Sequence, residues 1–168
     1  KNEIILFELE ANLKLWEFNT SQFGKYTTWQ QEEKEHEITK IIGIWKNELL
    51  VGCSNSLILA LDIQTGEQKR KWQELQGFGI DDFHGVLKNK LPDSRHFKLD
   101  KENNILFSLA GEFYVEINLL TSEINYKNIL KNLEKENVIR ARYSNDYATD
   151  NNYIYTINSC FNKFFDNS

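Results

Sequence analysis

The chain is poor in the residues that most often interrupt or crosslink a fold. Its 168 residues include no methionine, one proline, eight glycines and two cysteines. Two cysteines are too few for a disulfide framework, so we interpret Cys53 and Cys160, both within strand-like runs, as buried free thiols. With so few glycines and prolines, asparagine and aspartate are expected to form many turns, because they tolerate left-handed geometry and bond to nearby backbone.

Long apolar runs and basic clusters are also missing. No stretch approaches the roughly 20 apolar residues of a membrane-spanning helix, and no charged and then apolar segment opens the chain as a signal peptide would. The formal net charge is −5. An acidic chain without a basic run does not offer the clustered positive face that nucleic acids or anionic membranes require. We therefore expect no nucleic-acid partner and no membrane span, and the composition leaves the compartment open.

What the chain does contain is a repeat rich in strand-forming residues. Residues 60–67 (ALDIQTGE) are echoed by residues 116–123 (EINLLTSE), 56 positions further on. Each copy lies between two apolar, strand-like runs, so each indicates the turn of one repeating β unit. A period near 50 residues is typical of propellers and solenoids, whose units bury their faces against their neighbours. We predict an all-β fold, a β-propeller-like array of four-stranded antiparallel blades, with about three blades present and the array incomplete.

The predicted organisation is one partial propeller over residues 1–168. Residues 1–38 are expected to form a hairpin and a connection, residues 39–76 a blade, residues 77–138 an insertion loop plus a blade, and residues 139–168 a truncated blade. Because the chain opens in a strand pattern without methionine and stops where the next turn is due, we expect it to be a piece of a longer protein.

The clearest unit resembles the repeat of quinoprotein-like (PQQ-like) β-propellers. That repeat has a small residue, an Asp, a Thr-Gly pair and, four positions after the Gly, a Trp. The matching positions in the two copies are Ala60, Asp62, Thr65 and Gly66, and then Asn118 and Thr121. The Trp position holds Arg70 in the first copy, with Trp72 two residues on, and Tyr126 in the second. The resemblance implies a scaffold, and implies that the aromatic residue at the end of each unit packs between blades.

The residues of the repeat have structural roles that do not depend on the resemblance. Asp62 or Asn118 can accept hydrogen bonds from the turn backbone, Thr65 can cap the turn, and Gly66 supplies a positive φ angle. Because these residues serve the folding of the turn, the resemblance implies a scaffold rather than a catalyst. Because the chain has no adjacent cysteines and no assembled acidic cluster, we also expect none of the cofactor that quinoprotein dehydrogenases bind.

The most site-like stretch interrupts the repeat between residues 77 and 96. Long loops on rigid scaffolds often carry function. Its carboxylates and imidazoles could bind a metal or act as an acid/base pair, whereas the alternative interpretation is a solvated surface loop with turn-forming aspartates. The candidate binding residues are Asp81, Asp82, His84, Asp93, Arg95 and His96.

Our leading hypothesis is a non-catalytic interaction scaffold whose partner is another protein or the remainder of its own propeller. A small-molecule or carbohydrate binder could instead use exposed aromatic residues such as Trp29 and Trp45. A hydrolase-type enzyme with a site in the Asp81–His96 loop is a further alternative, and it requires His84 and His96 to converge in one pocket.

Overall fold

The computed structural model describes residues 2–28, 30–73, 94–110, 113–128, 138–149 and 154–162, the last two ranges as strands only. The prediction of an all-β fold is confirmed: the strands pair antiparallel throughout these ranges. The described strands do not close into a barrel or a ring. Trp29 lies outside the described residues.

Two sheets have four strands each, and in both the spatial order equals the chain order. Sheet II consists of β5 (Ile38–Trp45), β6 (Glu48–Cys53), β7 (Ile58–Asp62) and β8 (Gln68–Trp72). Sheet III consists of β9 (Lys98–Asp100), β10 (Ile105–Ala110), β11 (Phe113–Asn118) and β12 (Ile124–Asn128). Short turns between consecutive strands account for this meander.

The remaining strands form hairpins. Sheet I is β1 (Glu3–Glu8) paired with β2 (Leu13–Asn19), and sheet IV is β13 (Val138–Thr149) paired with β14 (Ile154–Asn162). Residues 20–37, expected to be only a connection, contain a 3-10 helix (Thr20–Phe23) and a small hairpin of β3 (Lys25–Thr27) and β4 (Glu33–Glu35).

The two central strands of sheet II, β6 and β7, are covered on both faces, and both consist mainly of apolar residues. Alternate side chains of β7 face opposite ways, so Leu59 and Leu61 pack towards sheet I while Ile58 and Ala60 pack towards sheet III. The core between sheets I and II contains Ile4, Trp16, Phe18, Val51, Cys53, Leu57, Leu59 and Leu61. The core between sheets II and III contains Trp45, Leu50, Ile58, Ala60, Trp72, Phe97, Leu106, Val115, Ile117 and Leu119.

The first hairpin corresponds to the last two strands of the four-stranded sheets. A register shift occurs in β1–β2 between Leu6 and Phe7 and in β7–β8 between Ala60 and Leu61, 54 positions later. The turns that follow also match, with positive φ at Asn12 and, 54 positions later, at Gly66. Sheet I therefore contains the equivalents of a third and a fourth strand, and its described residues contain no first or second strand.

Candidate functional site

Most of the predicted binding loop lies outside the described residues, namely Asp81, Asp82, His84 and Asp93. Arg95 and His96 belong to a 3-10 helix (Ser94–His96), where Arg95 is exposed and His96 half-buried. The predicted convergence of His84 with His96 therefore stays a prediction. Among the residues that the structure describes, no three His, Cys, Asp or Glu side chains lie close enough together to hold a metal ion.

The 3-10 helix that ends the insertion is anchored on sheet II. The buried Ser94 hydroxyl donates to the Cys53 carbonyl at 2.6 Å and lies 2.8 Å from the Thr39 hydroxyl. A side chain at Gly52 would meet the Ser94 Cβ at 2.9 Å, so this contact needs a glycine. The Lys40 ammonium donates to the Phe97 carbonyl at 3.0 Å. The insertion thus returns to the fold at a fixed point.

The turns of the repeat at residues 62–67 and 118–123 have the same hydrogen bonds. Asp62 Oδ1 accepts from the backbone N–H groups of Gln64 at 2.8 Å and Thr65 at 3.1 Å. Asn118 Oδ1 accepts in the same way from Leu120 at 2.8 Å and Thr121 at 3.1 Å. The backbone donors at Gln64 and Thr65 lower the pKa of the Asp62 carboxyl below its ordinary value.

The ends of the two turns are closed by the same devices. The Thr65 hydroxyl accepts from the Glu67 N–H at 3.2 Å, and the Thr121 hydroxyl accepts from the Glu123 N–H at 3.3 Å. The left-handed position is Gly66 in one turn, with φ of 73°, and Ser122 in the other, with φ of 63°. We call residues 62–67 the second turn and residues 118–123 the third turn.

The second turn receives a tryptophan from sheet I. The Trp16 indole Nε1 donates to the Ile63 carbonyl at 2.9 Å. Its ring covers Gly66 so closely that a Cβ there would lie 2.7 Å from Trp16 Cε3. Position 66 therefore requires glycine for two reasons: the turn has a positive φ there, and the Trp16 indole occupies the space of a Cβ.

The third turn receives an arginine from sheet II at the equivalent carbonyl. Arg70 lies 54 positions after Trp16, and its guanidinium donates to the carbonyl of Leu119, which lies 56 positions after Ile63. The guanidinium also pairs with Glu48, with Nε 3.0 Å from Oε2. It lies 5.0 Å from the ring centroid of Trp45 and 4.9 Å from that of Trp72, so cation–π contacts hold it.

The first hairpin has the equivalent turn, residues 9–12, but no described residue covers it. Leu9, which corresponds to Ile63, is 92% exposed. Ile5 and Phe7, which correspond to the fully buried Leu59 and Leu61, are 40% and 50% exposed. Leu13 and Leu15 are exposed as well. Ile5 and Phe7 alternate along β1 with Ile4 and Leu6, which pack towards sheet II, so they lie on the opposite face, which we call the open face of sheet I.

Sheet II shows matching exposure along its first strand. Ile41 and Ile44 are 59% and 47% exposed. Ile41 lies opposite Val51, which belongs to the core shared with sheet I, and Ile44 lies opposite Leu49, which packs against that core. Both isoleucines therefore lie on the side of sheet II where a four-stranded sheet I would place its first two strands.

The edge of β1 away from β2 is also open. The Asn2 carbonyl accepts from the Thr20 N–H at 2.8 Å, so it faces the β2 side of the hairpin. Successive residues of an antiparallel strand direct their backbone groups to opposite edges. Glu3, Ile5 and Phe7 consequently direct theirs to the edge where, among the described strands, β1 has no partner.

Two ionisable side chains among the described residues, Cys53 and His36, are buried inside the fold. Burial raises the pKa of the Cys53 thiol to about 12, so it stays protonated and unreactive. Burial is also the main reason why the pKa of His36 is lowered. The His36 ring packs against Tyr26, with centroids 4.9 Å apart, and its Nδ1 lies 3.3 Å from the Ser54 carbonyl.

One of the aromatic residues considered for ligand binding is not on the surface. Trp45 is 6% exposed, and its indole Nε1 donates to Asn104 Oδ1 at 2.9 Å. It belongs to the core between sheets II and III, where it also supports the Arg70 guanidinium.

The repeat did not lead us to the first hairpin as a candidate surface, although the sequence contains a signal. The runs IILFELEANLKLWEF (residues 4–18) and ILALDIQTGEQKRKW (residues 58–72) share strand, turn and strand at an offset of 54. The match is hidden because Glu8 and Asn12 stand in for Asp62 and Gly66, and because Arg70 occupies the position of Trp16.

No protein-family model, curated protein or solved structure matches this chain. In the ranges that the structure describes, no helix has the length and apolarity needed to cross a membrane.

Proposed function

We propose that the chain is a non-catalytic interaction module whose sheets are blades of an incomplete β-propeller of the PQQ-like type. The PQQ-like assignment rests on the Asp62, Thr65 and Gly66 turn and on its copy at Asn118 and Thr121. The propeller geometry is supported by sheets that stack in chain order and by a side chain of one sheet that binds the turn of the next.

One observation carries the proposed function, the difference between equivalent positions of sheets I and II. Leu59 and Leu61 are fully buried by a neighbouring sheet, whereas Ile5 and Phe7 are 40% and 50% exposed in the same strand position. Exposed apolar side chains beside an unpaired strand edge are the kind of surface that a protein partner covers. We therefore place the binding surface on the open face of sheet I and the free edge of β1.

Protein partners can use this surface through both of its elements. An added strand would satisfy the backbone groups of Glu3, Ile5 and Phe7, and its neighbouring side chains would cover the apolar face. The formal net charge of −5 adds long-range attraction for a basic partner without fixing the contact.

The test compares three forms of the immobilised chain in an extract of the organism that encodes it. The wild type is set against Ile5→Asp/Phe7→Asp, which puts two charges on the open face, and against Leu120→Asp. Leu120 is 60% exposed in the third turn and lies outside the proposed surface, so it is the matched control.

We expect at least one protein to be retained by the wild type and by Leu120→Asp, and to be lost from the double variant. Retention that is the same for all three forms, or no retained protein at all, contradicts the proposal. Circular dichroism of the three forms checks that each keeps its sheets.

A further inference from the structure

We propose that the protein partner of the open face presents an arginine to the turn of the first hairpin, residues 9–12, which we call the first turn. The guanidinium donates to the Leu9 carbonyl and pairs with the carboxylates of Glu8 and Glu10. This inference rests on the proposed function, because it names the chemistry of the partner that binds the same surface.

In both repeat turns, one backbone carbonyl accepts a hydrogen bond from a side chain of another sheet. The Ile63 carbonyl of the second turn accepts from the Trp16 indole at 2.9 Å, and the Leu119 carbonyl of the third turn accepts from the Arg70 guanidinium. Leu9 is the equivalent residue of the first turn, 54 positions before Ile63. The Leu9 side chain is 92% exposed, so a partner can reach this turn.

The residue in the left-handed position selects arginine over tryptophan. Gly66 accommodates the indole because it has no Cβ, and a Cβ there would lie 2.7 Å from the ring of Trp16. Ser122 has a Cβ at the equivalent position, and its turn receives a guanidinium. The first turn has Asn12 there, with φ of 49°, and therefore also a Cβ. In this respect the first turn matches the third turn, which binds a guanidinium on a long, unbranched side chain.

The carboxylates on either side of Leu9 supply the countercharge. The Arg70 guanidinium is balanced by Glu48, with Nε 3.0 Å from Oε2. Glu8 and Glu10 are both exposed, and neither has an ion-pair partner among the described residues. A guanidinium carries several N–H donors in one plane, so it can bind the carbonyl and a carboxylate together, whereas an ammonium is a compact point charge. The first turn therefore favours arginine over lysine as well.

The open face determines what surrounds this arginine in the partner. Ile5 and Phe7 are 40% and 50% exposed, whereas their equivalents Leu59 and Leu61 are buried against the sheet that delivers Trp16. A partner that covers Ile5 and Phe7 must place apolar side chains against them. The complementary partner surface is therefore an arginine flanked by apolar residues.

Selection from a random dodecapeptide library displayed on phage tests this chemistry with a defined probe. The bait is the immobilised 168-residue chain, and peptides that also bind Ile5→Asp/Phe7→Asp are removed first. Because a guanidinium can form charge-assisted hydrogen bonds to both groups, we expect the remaining peptides to contain arginine at least about threefold more often than the unselected library. The arginine should lie next to apolar residues, and lysine should not be enriched.

Two charge variants locate the effect at the first turn. We expect a selected arginine peptide to lose at least about tenfold in affinity for Glu8→Gln/Glu10→Gln, measured by isothermal titration calorimetry. Glu102→Gln/Glu123→Gln removes two exposed carboxylates from the turns of sheet III. This matched control should bind the peptide as the wild type does. Equal affinities for the two double variants overturn the inference.

Asn12→Gly makes the test specific for the left-handed position. Without a Cβ there the first turn resembles the second, so selection against this variant should yield tryptophan at the place of arginine, and its absence overturns the inference. Peptides that depend on Ile5 and Phe7 but contain no excess of arginine also overturn it, and they leave the proposed function standing. If depletion against Ile5→Asp/Phe7→Asp removes every binder, both proposals are contradicted.

Discussion

The second and third turns accept different side chains at the same backbone carbonyl. At the second turn an indole N–H reaches the Ile63 carbonyl at 2.9 Å and the ring lies flat on Gly66. At the third turn a guanidinium reaches the Leu119 carbonyl, and its flat faces are held by Trp45 and Trp72 from its own sheet.

The residue in the left-handed position explains the difference. Gly66 leaves room for an indole because it has no Cβ, and a Cβ there would lie 2.7 Å from the ring. Ser122 has a Cβ at the equivalent position, so the same approach is closed. A guanidinium at the end of a longer side chain reaches the carbonyl from further away, and Glu48 balances its charge.

The first hairpin also has a turn of this kind, and no described side chain binds its backbone carbonyl. Leu9 is the equivalent of Ile63 in the first hairpin, and it is 92% exposed. The position corresponding to Gly66 and Ser122 is Asn12, with φ of 49°. Two of the three turns are therefore covered by a preceding sheet, and the remaining one marks the surface that we propose to be an interface.

Removing the Trp16 indole should reduce the free energy of unfolding more than any other change considered below. Trp16→Ala leaves a cavity between sheets I and II and an unpaired Ile63 carbonyl, so we expect the free energy of unfolding to fall by about 3 to 5 kcal/mol. Urea titration followed by circular dichroism measures it. Phe7→Ala, on the exposed face of the same hairpin, is the control and should cost less than about 1 kcal/mol. Similar losses for the two variants would contradict the docking of Trp16.

Removing the Arg70 guanidinium should cause the second largest fall in the free energy of unfolding. Arg70→Ala leaves the half-buried Glu48 carboxylate without its partner, and we expect a loss of about 2 to 3 kcal/mol, reduced from that of a fully buried pair because both side chains keep some exposure. Arg70→Lys should fall between, since an ammonium cannot span Glu48 and Leu119 in one plane. Lys69→Ala, in the same strand but facing solvent, is the control. If chemical denaturation gives the alanine variants equal midpoints, Arg70 does not link the two sheets.

The core between sheets I and II should exclude thiol reagents. Cys53 is fully buried there, and burial raises its pKa to about 12. In a Cys160→Ser variant, we expect the remaining thiol to react with a chromogenic disulfide at pH 8 at least about a hundredfold more slowly in the native protein than in denaturant. Adding Trp16→Ala should speed this reaction because it loosens the same core. Rapid labelling of the native single variant would mean that this interface is open.

The smallest expected effect on stability is that of His36, which is buried beside the core between sheets I and II. Because burial lowers the pKa of His36 in the folded chain, the unfolded chain takes up its proton at a higher pH. The stability due to neutral His36 is complete above the ordinary pKa of about 6.5 and is lost as the pH falls below it towards the folded pKa. We expect the melting temperature to decrease between pH 7 and pH 5.5, and His36→Gln to flatten that decrease. His96→Gln is the control, and an unchanged slope in His36→Gln would contradict this account.

Much of the architecture could be predicted because turn chemistry is local. The Asp62, Thr65 and Gly66 pattern predicts the second turn, and the weaker copy at Asn118 and Thr121 predicts the third, since each bond joins residues a few positions apart. The continuous apolar run of β7 likewise indicates a strand covered on both faces.

The docking contacts could not be predicted, because they depend on register. Arg70 lies opposite Ala60 after a register shift, so it faces sheet III. Tyr126, aligned with it in the sequence, lies opposite Val115 in a ladder without such a shift and packs against the core shared with sheet II. One extra residue in a strand reverses the face of every side chain beyond it. No residue type in the sequence marks where such an extra residue occurs.

A double-mutant cycle between Trp16 and Gly66 tests most directly the claim that each turn is a docking site for the preceding sheet. The cycle compares Trp16→Ala, Gly66→Ala and the double variant by urea unfolding. If the indole lies on Gly66, the Cβ added there costs much less once the indole is gone, and we predict a coupling energy of at least about 1 kcal/mol. Additive losses would mean that Gly66 is needed only for its positive φ, and the repeated docking on which the interface proposal depends would be contradicted.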